Sequence, residues 1–282
     1  MSVKYSHDPE ILALYARLSD LETRADGGEL GVTPFLTPRE VIYAKSYLSS
    51  RMRDGLAFFV GGYPQAERQR AVILPSYTEG LLPPCDGEDA RLDRRLDEAG
   101  FDSLATEVRG LVIPLCVKGS GYRVLSHRDY LGSTLGLGLA RDVLGDILVL
   151  DEHCAYLLCK GEILPFLTGH LTHVGSDPVK VTPLSPDTQL DVQKATRPIR
   201  DTVASPRLDC VVAALCNLSR EKAQTAVRSG LVEVDYEVSE NCDLTLTAPC
   251  VLSVRGVGKF SVTSFDGETR KGRLRLVAEK YV

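Results

Sequence analysis

The sequence predicts an α+β protein in which N-terminal helices and a plait-like α/β domain precede a small C-terminal domain. Apolar residues first recur at helical spacing, and strand and helix patterns then alternate up to about residue 184. A stretch with four prolines, 176–204, follows and favours a domain boundary. We expect an N-terminal helical segment and hairpin at 1–75, the plait-like domain at 76–185, a linker at 186–204 and the C-terminal domain at 205–282.

Composition favours a globular protein of about two domains, because 44% of the 282 residues are hydrophobic. Apolar runs fall short of the roughly 20 residues that a membrane-spanning helix needs, and the N-terminus lacks a signal-peptide core. We therefore expect a cytoplasmic protein with no membrane partner and with free thiols at its eight cysteines. The net charge is −5, yet from Asp187 onward 14 Lys and Arg exceed 13 Asp and Glu, so the basic bias is C-terminal.

The N-terminal segment is predicted to contain two helices and a hairpin. Thr37 can cap the second helix, with Pro38 at its first position and Glu40 completing a capping box. Gly61-Gly62-Tyr63-Pro64 favours a turn between two apolar strands. The predicted elements are helices at 9–22 and 37–53 and strands at 56–60 and 70–74.

The middle of the chain alternates helix and strand patterns around short connections, which predicts a plait with helices on one face of a sheet. The segments are a helix at 88–99, a strand at 108–117, a helix at 129–139, strands at 147–150 and 155–159, a helix at 162–171 and a strand at 179–184.

The C-terminal domain is predicted to begin with two helices and a strand. Ser205 is expected to cap the first helix, with Pro206 at its first position. Ser219 caps the second, and Gly230 supplies the left-handed residue that ends it before a strand at 231–235.

Arg220, Gln224 and Arg228 are spaced i, i+4 and i+8, so they project from one face of the second helix. Arginine binds phosphate oxygens in a bidentate manner, and a glutamine amide reaches base edges or ribose. Charged rows are also common on solvated helices, so the spacing alone fits either an RNA-binding face or an ordinary solvent-exposed face.

The C-terminal motifs resemble the αL (alpha-L, ribosomal protein S-four-like) RNA-binding domain over about the last quarter of the chain. They are Arg207-Leu208-Asp209, Leu218-Ser219-Arg220 with Lys222-Ala223-Gln224, and Gly230 to Val234. The chain departs from that family at Asp235-Tyr236, where the family usually has Asn-Gly in the turn. In the family the two helices and the turn grip structured RNA, which assigns RNA contact to Arg207, Ser219, Arg220, Lys222, Gln224 and Arg228.

The last strands carry a second basic group. Arg273 and Arg275 alternate with Leu274 and Leu276, which places both arginines on one sheet face. This face either extends the RNA-binding surface or belongs to an edge strand protected by charge.

Motifs in the first half resemble the YlmH family. They are Gly61-Gly62-Tyr63, Ala66-Glu67-Arg68 and His127-Arg128-Asp129-Tyr130, and with the C-terminal domain the resemblance spans nearly the whole chain. It implies an RNA-binding plait followed by an αL domain. It also implies a role on large ribosomal subunits that retain peptidyl-tRNA, in ribosome-associated quality control, with rRNA, tRNA and a quality-control protein as partners.

His127 beside Asp129 is a usable acid/base pair, but these residues are also typical of a helix start, where His127 and Arg128 bind backbone or RNA. We expect no catalytic residue, because the sequence shows no nucleophile beside them.

Motifs for cofactors and metals are incomplete. Arg141 stands where a dinucleotide fingerprint starting at Gly136 needs its third glycine, and Phe260 follows Gly258-Lys259 where a phosphate loop needs Ser or Thr. The spacings of His153, Cys154, Cys159, His170 and His173 match no paired zinc-ligand pattern. We therefore expect no cofactor and no metal.

The predicted function is that of a non-enzymatic RNA-binding factor. One alternative is an RNA-modifying enzyme that uses the αL domain to deliver its substrate. A second is a protein-interaction adaptor, for example in cell division.

Overall fold

The computed structural model describes residues 8–51, 55–84, 91–188, 190, 196–269 and 272–281. Helices and strands both contribute throughout, which confirms the predicted α+β class. The chain divides between Val192 and Gln193 into two compact units.

The first unit begins with two helices that share a buried cluster with a small sheet. The capping box of the second helix is confirmed: the Glu40 amide donates to Thr37 Oγ1 at 3.3 Å, and the Thr37 amide donates to Glu40 Oε2 at 2.7 Å. The predicted hairpin is also confirmed. Residues 52 and 53, at the end of the predicted second helix, lie outside the described residues. The elements are α1 (Pro9–Asp26), β1 (Gly31–Val32), α2 (Pro38–Ser50), β2 (Ala57–Val60) and β3 (Arg70–Ile73), with antiparallel order β1-β3-β2.

A helical pair, α3 (Leu92–Glu98) and α4 (Asp102–Arg109), follows. The predicted start of a strand at Val108 was therefore wrong. Ala105 and Val108, three residues apart, are both buried, as expected for one helix face, and Gly110 ends the helix. The predicted helix at 88–99 begins at Leu92, and its residues 88–90 lie outside the described residues.

The first unit also contains an antiparallel five-stranded sheet with the order β5-β6-β4-β8-β7. Leu115, Val117 and Leu157 lie in a cluster with two helices, α5 and α6. The elements are β4 (Ile113–Gly119), α5 (His127–Gly136), β5 (Leu144–Asp151), β6 (Cys154–Cys159), α6 (Leu164–His170), β7 (His173–Val174) and β8 (Asp177–Pro183).

The opposite face of this sheet is partly covered as well. Leu148 and Leu158 point to that face and share a buried cluster with Leu96 of α3 and Val108 of α4. The prediction of helices on one face only was therefore wrong, because α3 and α4 bury apolar residues against the other face.

Asp146 of β5 holds the loop between β2 and β3. Its Oδ2 accepts the Tyr63 hydroxyl and the Glu67 amide, each at 2.7 Å, and its Oδ1 accepts the Arg68 amide at 3.2 Å. Gly62 lies in this loop at φ +88°, and a Cβ there would come within 2.3 Å of Leu158 Cδ2. The close approach of loop and sheet thus requires glycine at this position.

The second unit is an antiparallel six-stranded sheet with two helices packed on the face that carries Phe260 and Leu276. Its strand order is β11-β10-β12-β13-β14-β9. The elements are β9 (Thr196–Val203), α7 (Leu208–Cys216), α8 (Arg220–Arg228), β10 (Val232–Val234), β11 (Glu237–Val238), β12 (Cys250–Val254), β13 (Gly258–Glu268) and β14 (Leu274–Tyr281).

Part of the predicted linker is in fact strand β9, which pairs with β14 from Val203 opposite Leu274 to Thr196 opposite Tyr281. Its residues are mostly exposed, and it contains Pro198, which an edge strand tolerates. Because β14 lies between β13 and β9, its interpretation as an edge strand was wrong.

Candidate nucleic-acid interface

The segment after β11 supplies backbone partners for the first amides of α7. The Leu208 amide donates to the Leu244 carbonyl at 2.8 Å, and the Asp209 amide donates to the Cys242 carbonyl at 3.2 Å. The helix start is therefore fixed by a tertiary contact, which satisfies N–H groups that have no partner within the helix.

The predicted Ser205 cap was wrong for this reason. Arg207, with extended φ and ψ, occupies the N-cap position, and the helix begins at Leu208. The Pro206 carbonyl accepts the Leu246 amide at 2.8 Å, and Arg207 forms an isolated β-bridge with Thr245, so the chain is still extended immediately before the helix.

Asp209 is fully buried and accepts hydrogen bonds from three of the predicted site residues. Arg207 donates from Nε to Oδ1 and from Nη2 to Oδ2, both at 3.1 Å. Oδ2 also accepts Arg220 Nε at 3.2 Å and Gln224 Nε2 at 2.8 Å. The structure thus brings Arg207, Arg220 and Gln224 together around one carboxylate.

The charge of Asp209 is strongly stabilised. Burial alone raises the pKa of Asp209, but hydrogen bonds from Arg207, Gln224 and Arg220 more than offset it and hold the pKa well below its usual range. The same pairing raises the pKa of Arg207. Asp209 is therefore ionised at neutral pH and fixes the orientation of the side chains around it.

The two arginines differ in what they can still bind. Arg207 is 34% exposed and also pairs with Asp243, so two carboxylates compete for its guanidinium. Arg220 is 58% exposed, and among the described residues it bonds Asp209 through Nε alone. Its Nη nitrogens remain available for a ligand anion, which makes Arg220 the stronger candidate for phosphate contact.

The other predicted residues of α8 lie along its exposed side. Ser219 Oγ caps the helix by accepting the Lys222 amide at 3.3 Å, as the sequence predicted. Lys222 is exposed in the first turn, and Arg228 is exposed in the last turn. Gly230 at φ +66° follows the helix, as predicted. Arg228 lies outside the group around Asp209, so the structure joins only part of the predicted row.

The turn between β10 and β11 keeps the two-residue geometry that usually favours Asn-Gly. Asp235 and Tyr236 both have positive φ, +48° and +66°. Asp235 Oδ1 accepts the Val251 amide at 2.9 Å, and Lys259 Nζ donates to the Tyr236 hydroxyl at 3.1 Å. These side-chain contacts hold a conformation that a tyrosine rarely adopts.

Arg273 and Arg275 are not equivalent. Arg273 precedes β14 and donates from Nε to Thr202 Oγ1 at 3.0 Å, so it links β14 to β9. Arg275 is exposed on β14, opposite Thr202 on one side and Asp266 on the other.

His127 and Arg128 begin α5 in the first unit, two residues earlier than predicted. Ser126 and Asp129 form a capping box in which Asp129 Oδ2 accepts the Ser126 amide at 2.9 Å. Partial burial and then the charge of Arg141 lower the pKa of His127. The structure therefore shows a capped helix start at this motif.

Asp209 was not among the residues predicted to form the site, although the motif Arg207-Leu208-Asp209 contains it. An acidic residue in the first turn of an otherwise apolar helix was the available signal. One of its partners, Arg207, is the N-cap of α7, and the other two lie on α8, so helical spacing within one element did not reveal the group.

Within the described ranges, no three His, Cys, Asp or Glu side chains come together as a metal site would require. Seven cysteines are free thiols; Cys85 lies outside the described residues. The helices of the described chain are too short or too polar to cross a membrane.

Two family models match the first unit. Residues 118–187 match the family described as "Putative RNA-binding domain in YlmH", and residues 15–78 match the one described as "YlmH, N-terminal". Together with the fold, these matches define the class as an α+β protein that carries a domain of this RNA-binding type.

A curated relative, ribosome-associated protein quality control protein P2 of Bacillus subtilis (strain 168), is 33% identical over 250 residues, covering 88% of this chain and 86% of that protein. The chain belongs to the YlmH family. A solved structure, the cell division protein ylmH from Streptococcus pneumoniae, is 20% identical with a TM-score of 0.43 and covers 64% of this chain and 94% of that one.

Proposed function

We propose that this chain is a non-enzymatic RNA-binding factor that acts on the large ribosomal subunit and peptidyl-tRNA in quality control of stalled translation. In this proposal the second unit is an αL domain, and its RNA contacts come from Arg207, Ser219, Arg220, Lys222, Gln224 and Arg228. The protein works in the cytoplasm, its partners are rRNA and tRNA, and a further quality-control protein completes the pathway.

The observation that carries the proposal is the orientation of Arg220 by the buried Asp209. A guanidinium held through Nε presents its Nη nitrogens in a fixed direction, so less side-chain entropy is lost when they bind phosphate. Lys222, exposed in the same first turn, adds a second positive charge beside the helix start, where unpaired N–H groups favour anions.

The comparisons support the RNA and ribosome parts of this proposal. The matched domain is described as RNA-binding, and the name of the B. subtilis relative places that protein in ribosome-associated quality control. At 33% identity over most of both chains, a shared role is the simplest inference.

The absence of catalysis is also part of the proposal. Asp129 would be the partner of His127 in an acid/base pair, but its carboxylate accepts from Ser126 and lies 3.6 Å from Arg123. This supports a structural role for the carboxylate, since an acid/base pair needs a direct hydrogen bond.

Co-sedimentation of the full chain with purified large ribosomal subunits tests the proposal. We expect Arg220→Ala to weaken binding by about 10- to 100-fold, since one charge-assisted phosphate contact contributes roughly 1.5–3 kcal/mol. If about three phosphates are contacted, log affinity falls against log salt with a slope of about −2.7, which Arg220→Ala reduces by about 0.9.

Arg17→Ala is the matched control, because Arg17 is exposed on α1 in the first unit and its loss changes the net charge equally. Binding that survives both Arg220→Ala and Arg207→Ala would remove the second unit from its proposed role. Crosslinking in cells separates the alternatives: rRNA together with tRNA supports the proposal, one chemically modified nucleotide indicates an enzyme, and no RNA indicates a protein adaptor.

A further inference from the structure

The face of the five-stranded sheet that is partly covered by α3 and α4 is open at its other end. Leu148 and Leu158 are buried at the covered end, whereas the opposite end of the same face carries the exposed polar residues Lys118, Lys180 and Thr182. We call this end the open sheet face and define it by five residues: Cys116, Lys118, Cys154, Lys180 and Thr182.

Two lysines stand directly opposite each other on this face. Lys118 of β4 and Lys180 of β8 are register partners, so their Cβ atoms are about 4.5–5.5 Å apart. Like charges in this position destabilise a sheet. Both side chains are exposed, and among the described residues neither forms an ion pair.

The residues beside the lysines do not neutralise them. Cys116 on β4 and Cys154 on β6 have their sulfur atoms 3.6 Å apart, and both are free cysteines that supply no carboxylate. Lys180, Lys118, Cys154 and Asp151 are successive register partners and form one row across four strands. Asp151 lies at the far end of this row, and its Oδ1 accepts the His153 amide at 2.7 Å. Positive charge is therefore concentrated at the Lys118 side of the row.

Protection of a sheet edge explains only one of the two lysines. Lys180 lies on β8, which is paired on one side only over most of its length, and a charge there discourages unwanted strand pairing. Lys118 lies on β4, which is paired with β6 and β8 on its two sides. The opposed pair thus has an energetic cost without a matching structural benefit.

We propose that the open sheet face binds the phosphodiester backbone of single-stranded RNA, with Lys118 and Lys180 each contacting a phosphate. A lysine ammonium on a flexible stem is a compact phosphate-binding charge, and a bound phosphate removes the repulsion between the two. RNA is favoured over an acidic protein because residues 118–187 match a domain described as RNA-binding. This inference rests on the proposed function only in that both sites bind RNA. The open sheet face lies in the first unit of the chain, whereas the proposed function places its RNA contacts in the second.

The variant Lys180→Glu separates a binding role from a structural one. It replaces a repulsive cross-strand pair with an attractive one, so we expect Tm to rise by about 1–3 °C. We also expect affinity of the full chain for a fluorescein-labelled oligouridylate 20-mer to fall about 10-fold near 100 mM salt, with the salt slope reduced by about 0.7. Adding Lys118→Gln should reduce the slope by about 1.4 in total.

Arg17→Glu on α1 is the control, because it makes the same charge change at another exposed position of the first unit. An unchanged RNA affinity for Lys180→Glu, or an equal loss for Arg17→Glu, overturns the inference. Polyglutamate serves as a second probe, which stands for an acidic protein. If Lys180→Glu loses its binding to polyglutamate but keeps its affinity for RNA, the inference is also overturned and an acidic protein partner is indicated. The Arg220→Ala variant, measured in parallel, reports on the proposed function separately, because it leaves Lys118 and Lys180 intact.

Discussion

The buried carboxylate of Asp209 on α7 accepts a hydrogen bond from Arg220 Nε on α8 at 3.2 Å. This contact joins the two helices and sets the direction of a guanidinium that is 58% exposed. Packing of α7 against α8 and presentation of Arg220 to a ligand are consequently one structural feature, so a change at Asp209 should affect both stability and binding.

We expect Asp209→Asn to lower the free energy of unfolding of the second unit by about 2 kcal/mol. The asparagine amide keeps the volume but removes the negative charge to which Arg207, Arg220 and Gln224 donate. Its NH2 group is itself a donor, so it cannot accept any of these hydrogen bonds. Urea denaturation followed by circular dichroism measures the loss.

Asp243→Asn is the control for this prediction. Asp243 also pairs with Arg207 but is 71% exposed, so its replacement should cost less than about 1 kcal/mol. Equal losses for the two variants would show that burial of the Asp209 carboxylate does not matter.

Acid should remove the advantage that wild type has over Asp209→Asn. The pKa of Asp209 in the folded protein lies below the ordinary value of 3.8. A carboxyl with a lowered folded pKa contributes its full stability above its unfolded pKa and loses it as pH falls through the folded value. The stability difference between the two proteins should be constant from pH 7 to about 5 and shrink below about pH 4. A difference that stays constant down to pH 2.5, or grows, would contradict this sign.

The sequence predicted α8 well, because its cap at Ser219 and its apolar face are local features. It did not predict the role of Asp209, since Arg220 and Gln224 reach that carboxylate only when α8 packs against α7. Strand β9 was taken for linker because its partner β14 lies far along the chain; Arg273 and Thr202, which join them, are 71 residues apart. Long-range pairing of this kind leaves little trace in local periodicity.

Asp146→Ala should destabilise the first unit by about 2–4 kcal/mol. The substitution removes three partly buried hydrogen bonds, those that Asp146 accepts from the Tyr63 hydroxyl and from the amides of Glu67 and Arg68. Thermal and urea unfolding measure the loss, and Tyr63→Phe, which removes one of the three bonds, should cost only about 1 kcal/mol. If Tyr63→Phe costs as much as Asp146→Ala, the two backbone amides do not contribute.

Gly62→Ala tests how closely the loop between β2 and β3 must approach the sheet. Gly62 has φ +88°, and a Cβ would lie 2.3 Å from Leu158 Cδ2 and 3.0 Å from Val112 Cγ1, so backbone strain and steric overlap both oppose the change. We expect a loss of about 2–4 kcal/mol in unfolding free energy. Gly80→Ala isolates the strain, because Gly80 has φ +70° and a Cβ there meets nothing within 4 Å, so its cost should be about 1 kcal/mol. Equal costs would mean that the loop yields to the added methyl group and that contact with Leu158 does not require glycine.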